Sequence, residues 1–130
     1  MGSTDTLKMA FESIMTAFFR RDLEALEALA HDNVVFLGVF SPVRVEGKPA
    51  LRQFFKNFFE THDYAQLTPL DPHFQVTDSI GLVWGSMMME SQPKRLERKT
   101  FYMRFSFTFG YFSDTWRLVA MHSSWLLHED

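Results

Sequence analysis

The stretch WRLVAMHSSW, Trp116 to Trp125, is apolar through its centre yet carries His122, Ser123 and Ser124. It reads as a β-strand, and successive strand side chains point to opposite faces of a sheet. Ser123 therefore shares one face with Met121 and Trp125, and His122 shares the other with Ser124. Which face looks inward decides what the interior is made of and which polar groups can act there.

The segment before it, TFYMRFSFTF, alternates without a break. Phe101, Met103, Phe105, Phe107 and Phe109 fall on one side, and Thr100, Tyr102, Arg104, Ser106 and Thr108 on the other. Its pairing with the last strand leaves two registers open, because a slip of one residue exchanges the faces. In one, the interior is almost wholly apolar and the outer face polar. In the other, Tyr102 and Arg104 turn inward beside Ser123, and the five apolar side chains face out, where they would need a partner subunit. Turn residues at Thr77-Asp78-Ser79, the polar loop SQPKR and the segment from Gly110 to Asp114 divide this half of the chain. The expected strands are about 66–77, 80–90, 97–109 and 115–127.

The first half is helical in its periodicity. Leu7, Ala10, Phe11, Ile14, Met15 and Phe18 recur at helical spacing behind Ser3, Thr4 and Asp5, which suit an N-cap. Arg20 and Arg21 are expected in the last turn, where cations oppose the helix dipole. Asp22 caps a second helix, DLEALEALA, which HDN ends. NVVFLG reads as a short strand, and SPVRVEG contains another, with Pro42 suited to an edge. A third helix, PALRQFFKNFFETH, has Pro49 in its first turn and a wide stripe of Leu51, Phe54, Phe55, Phe58 and Phe59. Three helices followed by a strand meander predict an α+β fold, the helices packed on a strongly curved antiparallel or mixed sheet.

At 130 residues the chain is expected to form a single domain spanning 1–130, cone-shaped around one internal pocket. Hydrophobic residues make up 46% and include 15 Phe, ample for a core, while a net charge of -3 without a basic stripe argues against nucleic acid as a partner. The absence of cysteine removes disulfides, thiolate metal sites and cysteine nucleophiles. MGSTDTLK lacks the charged-then-apolar pattern of a secretory leader, and VVFLGVF is too short to span a bilayer, so a cytoplasmic protein with no membrane partner is expected. No H-x-H or H-x-x-x-H pair occurs among His31, His62, His73, His122 and His128, so neither a metal nor another cofactor is expected.

Three stretches, FFRRDLEALEALAHDNVVFLG, VEGKPALRQFFKNFF and WRLVAMHSS, together resemble the nuclear transport factor 2-like superfamily, with its SnoaL-like and ketosteroid-isomerase-like members. The resemblance covers nearly the whole chain. It implies that Ser123, Met121 and Trp125 face a pocket and that His122 and Ser124 face away. It also shows what is missing. Gly38 stands where an isomerase would carry its basic Asp, Ile14 where it would carry a Tyr, and Phe101 near the place of its second Asp. The acid of SnoaL-like cyclases, and the Arg of the related kinase association domain, both match Ser123. A fold of this kind hosts isomerases, dehydratases, cyclases and binding modules alike.

The expected ligand is accordingly a small hydrophobic or aromatic molecule. Its candidate contacts are Phe18, Phe36, Gly38, Phe55, Phe58, Trp84, Tyr102, Arg104, Met121, Ser123 and Trp125. Tyr102, Arg104, Ser123 and His122 are the candidates for catalysis, should the chain be a cofactor-free isomerase, cyclase or lyase. Met87, Met88 and Met89 offer thioethers that adapt to irregular apolar shapes. A homodimer through the outer face of the sheet is expected, and a non-catalytic association module is the remaining alternative.

Overall fold

The structure is a computed structural model that describes residues 2–39 and 44–126. Pro42, Leu127 and His128 therefore lie outside the described residues. Helix α1 (Thr4–Phe19) begins at Ser3, whose hydroxyl accepts from the Thr6 N–H while the Thr6 hydroxyl accepts from the Ser3 N–H. Its buried side chains, Leu7, Phe11, Ile14, Ala17 and Phe18, recur every three or four residues. Arg20 is the C-cap rather than part of the last turn, and Arg21 lies beyond it at φ 60°. Helix α2 (Leu23–Ala28) is capped by Asp22, whose carboxylate accepts from the Ala25 N–H. Strand β1 (Ala30–Leu37) starts sooner than the sequence suggests, so HDN belongs to the strand. After β2 (Val45–Glu46), helix α3 (Lys48–Thr61) has Pro49 in its first turn and buries Leu51, Phe55, Phe58 and Phe59.

The expected strand at 66–77 is in fact two, β3 (His62–Pro69) and β4 (His73–Thr77), both antiparallel to β5 (Ile80–Pro93). The break is made by Asp71. Its carboxylate accepts from the Ser86 N–H, and its carbonyl presses against Gly85, where the backbone has φ 152°. A side chain at position 85 would collide with that carbonyl, so only glycine lets the two segments approach so closely. Strands β6 (Lys99–Phe112) and β7 (Thr115–Trp125) complete a sheet of order β2-β1-β7-β6-β5-β3, with β4 also on β5. The β1–β7 pair is parallel and the others antiparallel, so the sheet is mixed. The sheet is curved and not closed, with the helices on its concave side.

The register of β6 on β7 settles the choice left open by the sequence. A two-residue turn, Ser113–Asp114, has φ of 48° and 64°, the left-handed pair that suits a tight hairpin. Counting from that turn, Phe109 pairs with Leu118. Continued unchanged, that pairing would set Arg104 opposite Ser123. A bulge between Thr108 and Phe109 shifts it by one, so Phe105 faces Ser123, Phe107 faces Met121 and Met103 faces Trp125. Met103, Phe105, Phe107 and Phe109 are buried, and Tyr102, Arg104 and Ser106 are exposed. The interior is the apolar one.

Candidate functional site

The concave face of the sheet carries the inward row of each strand. Met87 and Met89 come from β5, Met103, Phe105 and Phe107 from β6, and Met121 and Ser123 from β7. Above them, α1 contributes Ile14, Met15 and Phe18, and α3 contributes Phe54, Phe55 and Phe58. Leu26, Phe36, Val39 and Leu67 close the sides. These side chains surround a cavity of about 70 Å³. Aromatic rings from α1, α3 and β1 pack against one another along its wall. Phe18 meets Phe55 and Phe58 at 6.0 and 5.8 Å between centroids, and Phe36 meets Phe54 at 5.0 Å.

Ser123 is the polar exception in the lining. Its Oγ accepts a hydrogen bond from the Val39 N–H at 3.3 Å, which ties β7 to the chain just after β1. No Asp, Glu, His, Lys, Arg or Tyr side chain lines the cavity among the described residues. Nor do any three His, Cys, Asp or Glu side chains among them come together as metal ligands would. The arrangement can bury an apolar body and make one hydrogen bond to it. Among the described residues it offers no group for general acid–base transfer.

This fold, with helices covering one face of a curved mixed sheet, is shared with solved structures of the nuclear transport factor 2-like superfamily. Within it, the chain belongs to the SnoaL-like domain family, whose family model matches residues 7–128. No curated protein matches the chain significantly. Among solved structures it is similar to a candidate dehydratase of the nuclear transport factor 2-like family from Streptomyces avermitilis, at 19% identity and a TM-score of 0.87, covering 95% of this chain and 97% of that one. A candidate aromatic ring hydroxylase from Novosphingobium aromaticivorans gives 15% identity, a TM-score of 0.87 and coverage of 96% and 90%. A candidate calcium/calmodulin-dependent protein kinase II association domain from Xanthomonas campestris gives 14%, 0.85, and 97% and 89%. At these identities the likeness extends to the fold alone.

Of the residues singled out in the sequence, Phe18, Phe36, Phe55, Phe58, Met121 and Ser123 line the cavity. Five do not. Tyr102 and Arg104 stand on the outer face, a consequence of the bulge in β6–β7. Trp84 pairs with Ser106 on that same face and stacks on His73 at 5.4 Å between centroids. Gly38 sits beside the Phe36 ring, which occupies the space where its side chain would be. Trp125 points to the inner side but stays 44% exposed at the strand end, against Phe101 at 5.2 Å. His122, paired with Ser106 and Leu37, is exposed on the outer face. The sequence reading left out Met15, Met87, Met89 and Met103 as ligand contacts. The alternation of β5 and β6 carried the signal for the last three.

Among the described residues, no helix is long and apolar enough to cross a membrane.

Proposed function

We propose that this protein binds a compact hydrophobic or aromatic molecule in the cavity between α1, α3 and the sheet. The observation that carries this reading is the lining, in which every side chain but Ser123 is apolar and the aromatic and thioether groups predominate. Apolar surface of this kind gains most from excluding water and from contact with another apolar body. At about 70 Å³ the cavity is smaller than the roughly 150 Å³ apolar cavity that admits benzene. For a ring to sit wholly inside, the walls would have to move, and the five methionines among them are the side chains most able to do so. Isomerase, cyclase or lyase chemistry by proton transfer would need a titratable group beside the ligand, so binding is the reading the lining favours.

The partner reading concerns the outer face of the sheet, where we propose that two copies of the chain meet. Leu37, Trp84 and Tyr102 are 46%, 40% and 40% exposed there, with Val35, Leu82, Met88 and Ala120 half-buried around them. This is a different set from the Phe row that the alternative register would have exposed.

The ligand reading is tested by melting the protein with and without ethylbenzene. A ligand held only by the native state stabilises it by about 2.7 kcal/mol at a hundredfold excess over Kd, which raises Tm by several degrees. An unchanged Tm at saturating ethylbenzene would refute it.

A further inference from the structure

We infer that the natural ligand is a neutral carbonyl or ether compound, an apolar body with one hydrogen-bond-accepting oxygen, held by the Ser123 hydroxyl. The inference rests on the cavity being the binding site, and it follows from what Ser123 has left to give. A hydroxyl offers one donor hydrogen and two acceptor lone pairs. The Val39 N–H, at 3.3 Å, uses the hydroxyl as an acceptor. That contact orients Oγ and leaves its hydrogen with no acceptor among the described residues. Its described neighbours offer none: across the strand pair stands Phe105, and two residues along the strand stands Met121. A donor set in an apolar wall is best matched by a ligand oxygen, because leaving it unpaired once water is displaced costs more than the bond itself returns.

The same lining argues against charge. A carboxylate or phosphate would meet no cation among the described residues of the lining, since Arg104 lies on the far side of the sheet. Desolvating such an anion costs far more than one neutral hydroxyl can return. A purely hydrocarbon ligand would fill the space but leave the Ser123 hydrogen unused. A single neutral acceptor on a compact apolar frame satisfies both constraints.

Calorimetric titration with three probes of one shape tests this: ethylbenzene, acetophenone and benzoate. Ethylbenzene and acetophenone should both bind the wild-type protein, and benzoate should not. In Ser123→Ala the ratio of acetophenone to ethylbenzene affinity should fall by about fivefold, the usual net worth of one hydrogen bond. The ethylbenzene affinity itself should rise, because Ser123→Ala removes a donor that this probe leaves unpaired. Comparing ratios removes the ketone's own cost of leaving water. Ser123→Thr, which keeps a hydroxyl, should retain the wild-type ratio.

A ratio unchanged within twofold in Ser123→Ala, with both probes still bound, overturns the carbonyl assignment and leaves the apolar binding site standing. Failure of both neutral probes to bind wild type overturns the assignment and the site together. Benzoate binding more tightly than acetophenone overturns the assignment as well. If Ser123→Ala does not fold, the infrared band of ¹³C-carbonyl acetophenone bound to wild type decides instead. A shift to lower frequency than in hexane is expected, and a hexane-like band overturns the proposal.

Discussion

Phe11 and Arg104 mark the two extremes of what one side chain does here. Phe11 is 1% exposed, and its ring meets Phe105 at 5.7 Å, Phe107 at 5.5 Å and Phe74 at 5.8 Å. It holds α1 onto the inner row of β6, beside the cavity it helps to support. Arg104 stands on the outer face, where solvent screens its charge. Phe11→Ala should therefore destabilise the protein by about 3–5 kcal/mol. Arg104→Met should change stability by no more than about 0.5 kcal/mol and leave ethylbenzene binding as it was. Denaturant melts of the two variants check this, and an Arg104→Met protein that no longer binds ethylbenzene would mean that the faces are wrongly assigned. The identity of the pocket aromatics was legible in the sequence, because Phe18, Phe55 and Phe58 sit on helical stripes that have only one side to bury. The place of Arg104 was not. Alternation tells which residues of β6 go together, but not which way the set faces.

The missing information belongs to the elements. The faces of β6 and β7 are set by a two-residue turn at Ser113–Asp114 and a one-residue bulge near Thr108, and neither has a strong sequence signature. The turn lacks the Asn-Gly or Asp-Gly pair that announces a tight hairpin. The bulge inserts a residue without any glycine to mark it. By contrast, the helix starts at Ser3, Asp22 and Pro49 were readable, since each is a cap or first-turn residue with a local chemical reason. The break between β3 and β4 was missed because its cause is remote: Asp71 reaches fifteen residues along the chain to the Ser86 N–H. Gly85 is the part of that device a substitution can test. Gly85→Ala forces a side chain into an unfavourable backbone region and against the Asp71 carbonyl. A cost of about 1–3 kcal/mol is expected from the backbone alone. A melt unchanged from wild type would show that the Asp71 link does not approach β5 so closely.

At the scale of the whole molecule, the sheet divides two roles. Its concave side lines the cavity, and its outer side leaves Trp84, Tyr102 and Leu37 partly exposed. The dimer reading predicts that sedimentation at micromolar concentration gives about twice the chain mass, and that Trp84→Glu with Leu37→Glu halves it without loss of ethylbenzene binding. A wild-type monomer under those conditions would refute it. The superfamily was legible early because helix, hairpin, helix and meander occur in a fixed order. The ligand was not, because on the proposed reading its recognition rests on one hydroxyl and on the shape of an apolar space.

The central claim is that the cavity, and not the outer face, takes the ligand, and the methionines give it a built-in set of reporters. Met15, Met87, Met89, Met103 and Met121 line the cavity. Met9 is 64% exposed on α1, and Met88 lies between Met87 and Met89 on the opposite face of the same strand. The most direct measurement is therefore a titration with ethylbenzene followed by NMR of the ¹³C-labelled methionine methyl groups. The account predicts that the five lining methyls shift together along one saturating curve while Met9 and Met88 hold still. Movement of Met88 with the lining methyls unmoved would contradict it.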